Sequence, residues 1–158
     1  MDKIIIADEI SKAISQTQQI VPFSKRGILL SLQDAYDVAG LVKENLGSPP
    51  EVGKKIGFTN RNIWNVYNVS EPIWGPITSK SVSFTETNFQ KIDLSRFCEP
   101  RIEPEVVICL KEKPHYSDED LNICIDWIAP GFEIVDSIYP NWAFALPDTI
   151  ASGGLHGC

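Results

Sequence analysis

Two glutamates on either side of a proline stand directly before an apolar run. Glu103 and Glu105 precede residues 106–110, Val-Val-Ile-Cys-Leu, a run typical of a strand buried on both faces. Because side chains alternate along a strand, both carboxylates point to one face, where they repel each other and are costly to desolvate. A divalent cation would resolve both problems, and carboxylate oxygens favour Mg²⁺, Mn²⁺ or Ca²⁺ over Zn²⁺. The alternative is a solvated strand end whose glutamates bind nothing.

Two further stretches offer groups for the same chemistry. Glu133 lies within another apolar strand, and the strand alternation places Asp136 on its opposite face. Lys55 stands between Gly53 and Gly57, which permit a close approach of the backbone to a ligand. A lysine in such a place could bind a carboxylate or transfer a proton. The alternative is a surface lysine whose ammonium group stays in water.

The elements that must position these groups begin with two amphipathic helices. Apolar residues recur at helical spacing over residues 2–19, which predicts the first helix. Ser31 followed by Asp34 forms the start of a second, which Gly47 ends. Neither helix carries residues that suggest chemistry, so we expect residues 1–50 to form a helical layer that packs on the rest of the protein.

The remainder of the chain, residues 51–158, has a sequence pattern typical of a β-rich body. Short apolar or alternating runs separated by Gly, Pro and Asn predict strands at 53–59, 72–84, 101–111 and 131–138. Ser117 is placed to cap one helix, whose apolar stripe runs to Ile128. The fold class is therefore α+β, with a helical N-terminal layer followed by the β-rich body.

Composition excludes several classes of partner. Fourteen Lys and Arg against 21 Asp and Glu give a net charge of −7, so the chain lacks the cationic excess that nucleic acid or an anionic membrane selects. No apolar run approaches the ~18 residues of a membrane span, and none near the N-terminus suits a signal peptide. The cysteines show no CxxC spacing and are expected to be reduced thiols; they are Cys98, Cys109, Cys124 and Cys158. We therefore expect a cytoplasmic protein.

Five short motifs occur in an order that resembles a known enzyme family. They are KIGFT at 55–59, PIWGP at 72–76, EPRIEPE at 99–105, FEIVDS at 132–137 and DTIA at 148–151. Together they are similar to the 2-keto-4-pentenoate hydratase / 2-oxohepta-3-ene-1,7-dioate hydratase branch of the fumarylacetoacetate hydrolase superfamily. The similarity covers essentially the whole chain. The order of the five motifs carries the identification, since each one alone is short.

The resemblance implies a fold, a metal and a chemistry. The fold is a mixed β-roll-like body, like the C-terminal domain of fumarylacetoacetase, that carries one Mg²⁺ or Mn²⁺. By motif, the metal ligands fall on Glu103, Glu105 and Glu133, and the active-site lysine falls on Lys55. Substrates of the family are small 2-oxo acids, and the metal stabilises the enolate formed during hydration, decarboxylation or C–C cleavage. The resemblance thus implies a lyase of aromatic-compound catabolism.

Weaker candidates for contacts with the substrate are Thr59, Asp148 and His156. The family carries an acidic residue just after the proline that matches Pro72, where this chain has isoleucine and tryptophan. It also carries an Asp-Asn-Ala-Ser run where residues 152–156 read Ser-Gly-Gly-Leu-His. These departures leave the type of reaction open and the metal site intact. His156 could replace a lost polar group, although a lone histidine is more often structural.

Three readings follow from the sequence. The first is a metal-dependent hydratase, decarboxylase or C–C hydrolase acting on a small 2-oxo acid. The second is a catalytically silent, truncated family member that assembles with another chain, since family members continue past the position of residue 158 with strands that complete the roll. The third is a small interaction domain with merely solvated acids. An unclosed roll and the family's usual dimerisation predict a homo-oligomer, most simply a dimer.

Overall fold

Two amphipathic helices form the N-terminal layer. The structure, a computed structural model, describes residues 2–67, 69–87, 89–115 and 121–158. Helix α1 is Lys3–Ser15 and helix α2 is Leu32–Asn45. Asp2 caps α1, and Ser31 caps α2 by accepting a hydrogen bond from the Asp34 N–H at 3.1 Å. Both predicted helices are confirmed, although α1 ends four residues before the predicted boundary at residue 19.

Four strands form two separate antiparallel sheets in the described part of the chain. They are β1 (Glu51–Gly57), β2 (Ile73–Thr78), β3 (Pro100–Leu110) and β4 (Ile125–Asp136). In the first sheet β1 pairs with β2, which puts Lys55 opposite Gly75. In the second, β3 pairs with β4, which puts Glu103 opposite Glu133. Directly opposed residues share a face, so these two glutamates project to the same side.

Short helical segments lie between these elements and after the last strand. Two of them are α-helical, α3 (Trp64–Tyr67) and α4 (Leu146–Ala151). The others are 3₁₀ turns at Ser24–Arg26, Arg61–Ile63, Leu94–Arg96, Leu121–Cys124, Pro140–Trp142 and Gly153–Leu155. The mixture of helices and small antiparallel sheets agrees with the predicted α+β class. The closed β-roll stays a prediction.

The core lies between the N-terminal helices and the residues that follow β4. Tyr139 is fully buried there, and its hydroxyl donates to the Asp148 carbonyl at 3.0 Å. Burial, with a contribution from the Asp148 charge, raises the pKa of this phenol. The main buried apolar residues are Ile6, Ala7, Ile10, Ala13, Phe23, Ala35, Val38, Val42, Ile73, Ile138, Tyr139, Ile150, Ala151 and Leu155. One core thus draws on both ends of the chain, and the division at residue 50 stays a prediction.

Residues 152–158, which we call the C-terminal turn, lie against both sheets. A Cβ added to Gly75 of β2 would stand 2.3 Å from the carbonyl oxygen of Gly153, so only glycine allows this approach. On the other side, the Ile134 N–H of β4 donates to the Cys158 carbonyl at 2.8 Å. The C-terminal turn therefore connects the β1–β2 sheet with the β3–β4 sheet.

The helix predicted to run to residue 128 is wrong. Strand β4 begins at Ile125, and the residues described immediately before it, Leu121–Cys124, form a 3₁₀ turn. Ser117, the predicted cap, lies outside the described residues, as does the rest of 116–120. The apolar positions fit a helical period, but the β-branched and aromatic side chains at the start of β4 pair with β3. Pairing with the 11-residue strand β3 determines the conformation here, because a helical pattern of only a few apolar residues is a weak local preference.

The expectation that residues 106–110 are buried on both faces is also wrong for the described part of the chain. Val106 is 69% exposed and Ile108 is 52% exposed, and Phe132 on the paired strand is 71% exposed. With Ile102 and Ile128 they form what we call the apolar face, on the side of the β3–β4 sheet away from the glutamates. An apolar sequence indicates that a strand tends to be buried, but it does not show which element buries it.

Two smaller expectations concern the cysteines and membranes. The four cysteines are thiols that form no disulfide with one another, as predicted; Cys124 is buried and the others are half-buried. Burial and the nearby Asp136 charge raise the pKa of Cys98 to about 11, so its thiol stays protonated at neutral pH. Among the described residues, no helix combines the length and apolar character that crossing a bilayer demands.

Candidate metal centre

Three glutamates of the β3–β4 sheet converge. Glu103 and Glu133 are direct cross-strand partners, and Glu105 follows on the same face of β3. One carboxylate oxygen from each residue lies within 4.8 Å of the other two. Glu105 pairs with Gly131, where an added Cβ would stand 2.6 Å from a methyl group of Val107, so glycine avoids a clash with Val107 at this position.

The charges of these carboxylates act on one another. Burial raises the pKa of Glu105, and the neighbouring charges of Glu133 and Glu103 raise it further, although Lys55 opposes them. Burial alone would also raise the pKa of Glu133, which is 8% exposed. In that case the hydrogen bond from His156 and the charge of Lys55 outweigh burial, and the pKa is lowered. The ionised form is therefore favoured at Glu133 and disfavoured at Glu105, relative to an isolated glutamate.

Lys55 reaches this cluster from the other sheet. It lies on β1, and its Nζ is 2.9 Å from Oε1 of Glu133. The side chain is 12% exposed, so the surface-lysine alternative does not describe it. Gly154 of the C-terminal turn packs on its aliphatic stem, since a Cβ there would lie 3.5 Å from Cδ of Lys55. Gly53 and Gly57 face side chains of β2 rather than a ligand space, and the close approach occurs at Gly75 instead.

His156 contacts the same carboxylate. Its Nδ1 is 2.7 Å from Oε1 of Glu133, and its Nε2 is 2.9 Å from Oγ of Ser81. Because a carboxylate only accepts, Nδ1 carries a proton in this contact. Ser81 is held in turn by Thr78, with Oγ donating to the Thr78 carbonyl at 3.0 Å. His156 also forms an isolated antiparallel bridge with Val135 of β4.

The other two weak candidates lie elsewhere. Strand β1 ends at Gly57, and Phe58 has a positive φ of 57°, which breaks the alternation predicted through Thr59. Thr59 is exposed. Asp148 is buried at the start of α4, where its carboxylate accepts hydrogen bonds from the Ser24 hydroxyl at 2.5 Å and the Ala145 N–H at 2.9 Å. These contacts account for Asp148 by a structural role, and substrate contacts of both residues stay predictions.

Sequence reasoning missed Ser81 and Gly75, and it left the role of His156 open. Ser81 lies three residues after the end of β2, in a stretch without a motif, and nothing in the sequence pairs it with a residue 75 positions away. A signal for Gly75 was present, since an isolated glycine within a strand marks a close backbone approach. Asp136, on the face opposite Glu133 as predicted, accepts hydrogen bonds from the Cys98 and Glu99 N–H groups and so fixes the start of β3.

The donor set fits a hard divalent ion. Three carboxylates offer one oxygen each within 4.8 Å of one another, and Lys55 contacts one of them, that of Glu133. The cluster therefore carries excess negative charge, which adds to the effect of burial in raising the pKa of Glu105. Carboxylate oxygens without cysteine suit Mg²⁺, Mn²⁺ or Ca²⁺ and leave other positions for water or a ligand. The assignment of the three glutamates as metal ligands stays a prediction.

Comparison with known proteins gives consistent relatives. No model of a known protein family matches the chain. The chain is 30% identical to a 2-hydroxypent-2,4-dienoate hydratase of Pseudomonas putida over 165 residues, which cover 99% of this chain and 73% of that one. It is 27% identical to a 2-hydroxyhexa-2,4-dienoate hydratase of Comamonas testosteroni, covering 92% of this chain and 57% of that one.

A solved structure shares the fold. The 4-oxalocrotonate decarboxylase from Pseudomonas putida G7, complexed with magnesium and adipate, superimposes with a TM-score of 0.82 at 25% identity. The match covers 98% of this chain and 59% of the decarboxylase. The chain thus spans about three fifths of the length of this structure and of several relatives. By its similarity to the dienoate hydratases, the chain belongs to the 2-keto-4-pentenoate hydratase branch of the fumarylacetoacetate hydrolase superfamily.

Proposed function

We propose that the protein is a divalent-metal-dependent hydratase or decarboxylase that acts on a small 2-oxo acid. The observation that carries the proposal is the meeting of three carboxylates within 4.8 Å, with the Lys55 ammonium 2.9 Å from one of them. Relatives named as dienoate hydratases, and a decarboxylase complexed with magnesium, support this class. They do not favour the catalytically silent reading. Mg²⁺ is the proposed ion, with Mn²⁺ as its usual substitute.

Each residue has a role in this proposal. Glu103, Glu105 and Glu133 would hold the ion, which when bound supplies Lewis-acid chemistry to the keto oxygen and carboxylate of a 2-oxo acid. Lys55 stands beside these ligands with its side chain largely shielded from water. It would bind the substrate carboxylate or move a proton at the reacting carbon skeleton. The same proposal includes a role in the catabolism of aromatic compounds and a location in the cytoplasm.

The lysine offers a test with a matched control. Lys55→Met keeps the packing of the stem and removes the charge, whereas Lys54→Met makes the same change at the neighbouring exposed position on β1. Turnover of 2-hydroxypenta-2,4-dienoate or 4-oxalocrotonate with Mg²⁺ should fall by ~10²–10⁴-fold in Lys55→Met, as expected for a positioned acid–base group. Lys54→Met should keep the parent turnover, and both variants should still bind Mg²⁺ in calorimetry.

A ligand variant separates metal binding from proton transfer. Glu105→Gln should weaken Mg²⁺ binding first and lose activity only as a consequence, so high Mg²⁺ restores part of the turnover. A parent protein that binds no divalent ion at millimolar concentration would contradict the proposed function. Equal turnover in the parent and Lys55→Met would contradict the proposed role of the lysine without contradicting the proposed metal site.

We also propose that the chain forms a homo-oligomer through the apolar face. Val106, Ile108 and Phe132 are all more than half exposed there, on a sheet that has two strands among the described residues. Two-stranded sheets need further strands or packed elements for stability, and a contiguous apolar surface of this kind favours association. Sedimentation equilibrium at micromolar concentration should therefore show a species heavier than one chain. A stable monomer over that range would contradict this part of the proposal.

A further inference from the structure

Both donors to Glu133 converge on one of its two oxygens. Nδ1 of His156 lies 2.7 Å from Oε1, and Nζ of Lys55 lies 2.9 Å from the same atom. A carboxylate oxygen offers about two lone-pair sites, so Oε1 is filled by these two hydrogen bonds. Oε2 is therefore the oxygen through which Glu133 can bind an ion, and the carboxylate is set for monodentate ligation. The carboxylate cannot rotate about its terminal bond without breaking both contacts.

His156 is itself fixed from two directions. At its backbone, the bridge to Val135 fastens the C-terminal turn to β4, and the next residue, Gly157, donates its N–H to the Ile134 carbonyl at 2.9 Å. At the far end of its ring, Nε2 contacts Oγ of Ser81 at 2.9 Å. The side chain is 10% exposed. A ring held at both nitrogens presents Nδ1 in one place, which is what orienting a metal ligand requires.

We propose that His156 is a positioning residue for the metal site, holding Oε1 of Glu133 so that Oε2 faces the ion, with Ser81 orienting the ring. This inference rests on the proposed metal function of the three glutamates. The family motifs do not assign it, because residues 152–156 depart from the Asp-Asn-Ala-Ser run that the resemblance leads one to expect. It also gives a physical role to the C-terminal turn, which delivers the histidine to the site.

Two amide variants separate this role from a structural one. His156→Asn places an amide N–H near the position of Nδ1 and loses the contact with Ser81. His156→Gln reaches toward the position of Nε2 and loses the Nδ1 donor. Both keep the backbone bridge to Val135. If His156 positions Glu133, Asn should retain Mn²⁺ affinity to within a few-fold, whereas Gln should weaken it by ~10–100-fold, the usual effect of removing a group that orients a ligand.

The experiment measures Mn²⁺ affinity of the full chain by electron paramagnetic resonance at one fixed pH, with urea unfolding of each variant alongside. The second histidine, exposed His115, gives the matched control: His115→Gln should leave the affinity unchanged. Ser81→Ala frees Nε2 without touching the carboxylates, and a loss of a few-fold with unchanged unfolding is expected. This milder variant keeps the proposal testable if a His156 variant fails to fold.

The possible results distinguish a failure of the positioning role from a failure of the proposed function. Equal affinities for His156→Asn and His156→Gln, or a loss that simply follows the loss of stability, would overturn the positioning role and leave the metal site intact. A parent protein that binds no Mn²⁺ would overturn both the positioning role and the proposed function. Selective loss in His156→Gln with Asn rescue would establish the role of Nδ1.

Discussion

Replacing Gly75 with alanine tests the contact that joins the C-terminal turn to the first sheet. The added Cβ would stand 2.3 Å from the Gly153 carbonyl oxygen and 3.0 Å from its carbon. Both are backbone atoms, so the turn itself must move by about 1 Å to reach ordinary van der Waals separation. Overpacking of this kind costs about 1–3 kcal/mol, and the lower entropy of an unfolded chain with alanine returns about 0.4–1 kcal/mol.

We therefore expect Gly75→Ala to lower the free energy of unfolding by about 1–2 kcal/mol, measured by urea titration of tryptophan fluorescence. Gly53→Ala is the matched control on the paired strand, because the nearest atoms to its Cβ belong to Ile77 at 3.9 and 4.0 Å, an ordinary contact. It should leave stability unchanged or raise it slightly. The displaced turn carries His156, so Gly75→Ala should also weaken Mn²⁺ binding. Equal stability of the two alanine variants would refute the reasoning.

Three further predictions follow from the same contacts. Mn²⁺ affinity should fall as the pH is lowered, because the pKa of Glu105 is raised and its protonated form is a poor ligand. The fall should begin above pH 4.5, the ordinary pKa of a glutamate. Calorimetry that shows the same affinity from pH 8 to pH 5 would contradict this. Asp148→Asn should lower the free energy of unfolding in urea by about 1–3 kcal/mol, because it impairs the buried carboxylate that accepts hydrogen bonds from the Ser24 hydroxyl and the Ala145 N–H. The control, Asp126→Asn on the exposed part of β4, should change the free energy of unfolding little. Phe132→Ser should shift the sedimentation equilibrium toward the monomer without unfolding the protein, and an unchanged mass would exclude the apolar face from the interface.

Local patterns predicted the parts of the fold that depend on local physics. The capping of α2 by Ser31 and the alternation in β3 and β4 are properties of a few neighbouring residues, and the structure reproduces them. The spacing of Glu103 and Glu105 places two carboxylates on one face for the same reason. The helix predicted to run to residue 128 failed because strand pairing with a distant segment, which no local period reports, decided the conformation from Ile125 onward.

The site was only partly predictable, because its geometry depends on contacts between distant segments. The carboxylates and Lys55 stood out through motifs, but their convergence depends on the register of two sheets. The contact between His156 and Ser81 joins residues 75 positions apart and depends on the path of the C-terminal turn. Exposure of the apolar face was unpredictable for a related reason, since an apolar sequence does not state which element covers it.

The position of the C-terminal turn in the chain has a consequence for how the site assembles in time. The two hairpins are local enough to form early, but the sheets share no strand in the described residues, and the turn that contacts both follows these strands in the sequence. Contacts that close so long a loop cost more conformational entropy than the pairing within each hairpin, and such non-local contacts form late in folding. A nascent chain would therefore carry paired strands and all three glutamates before Glu133 gains its partner from the turn. Metal affinity should mature only when residues 152–158 dock, so Mn²⁺ capture during refolding should lag behind the formation of the two hairpins, followed by far-UV circular dichroism.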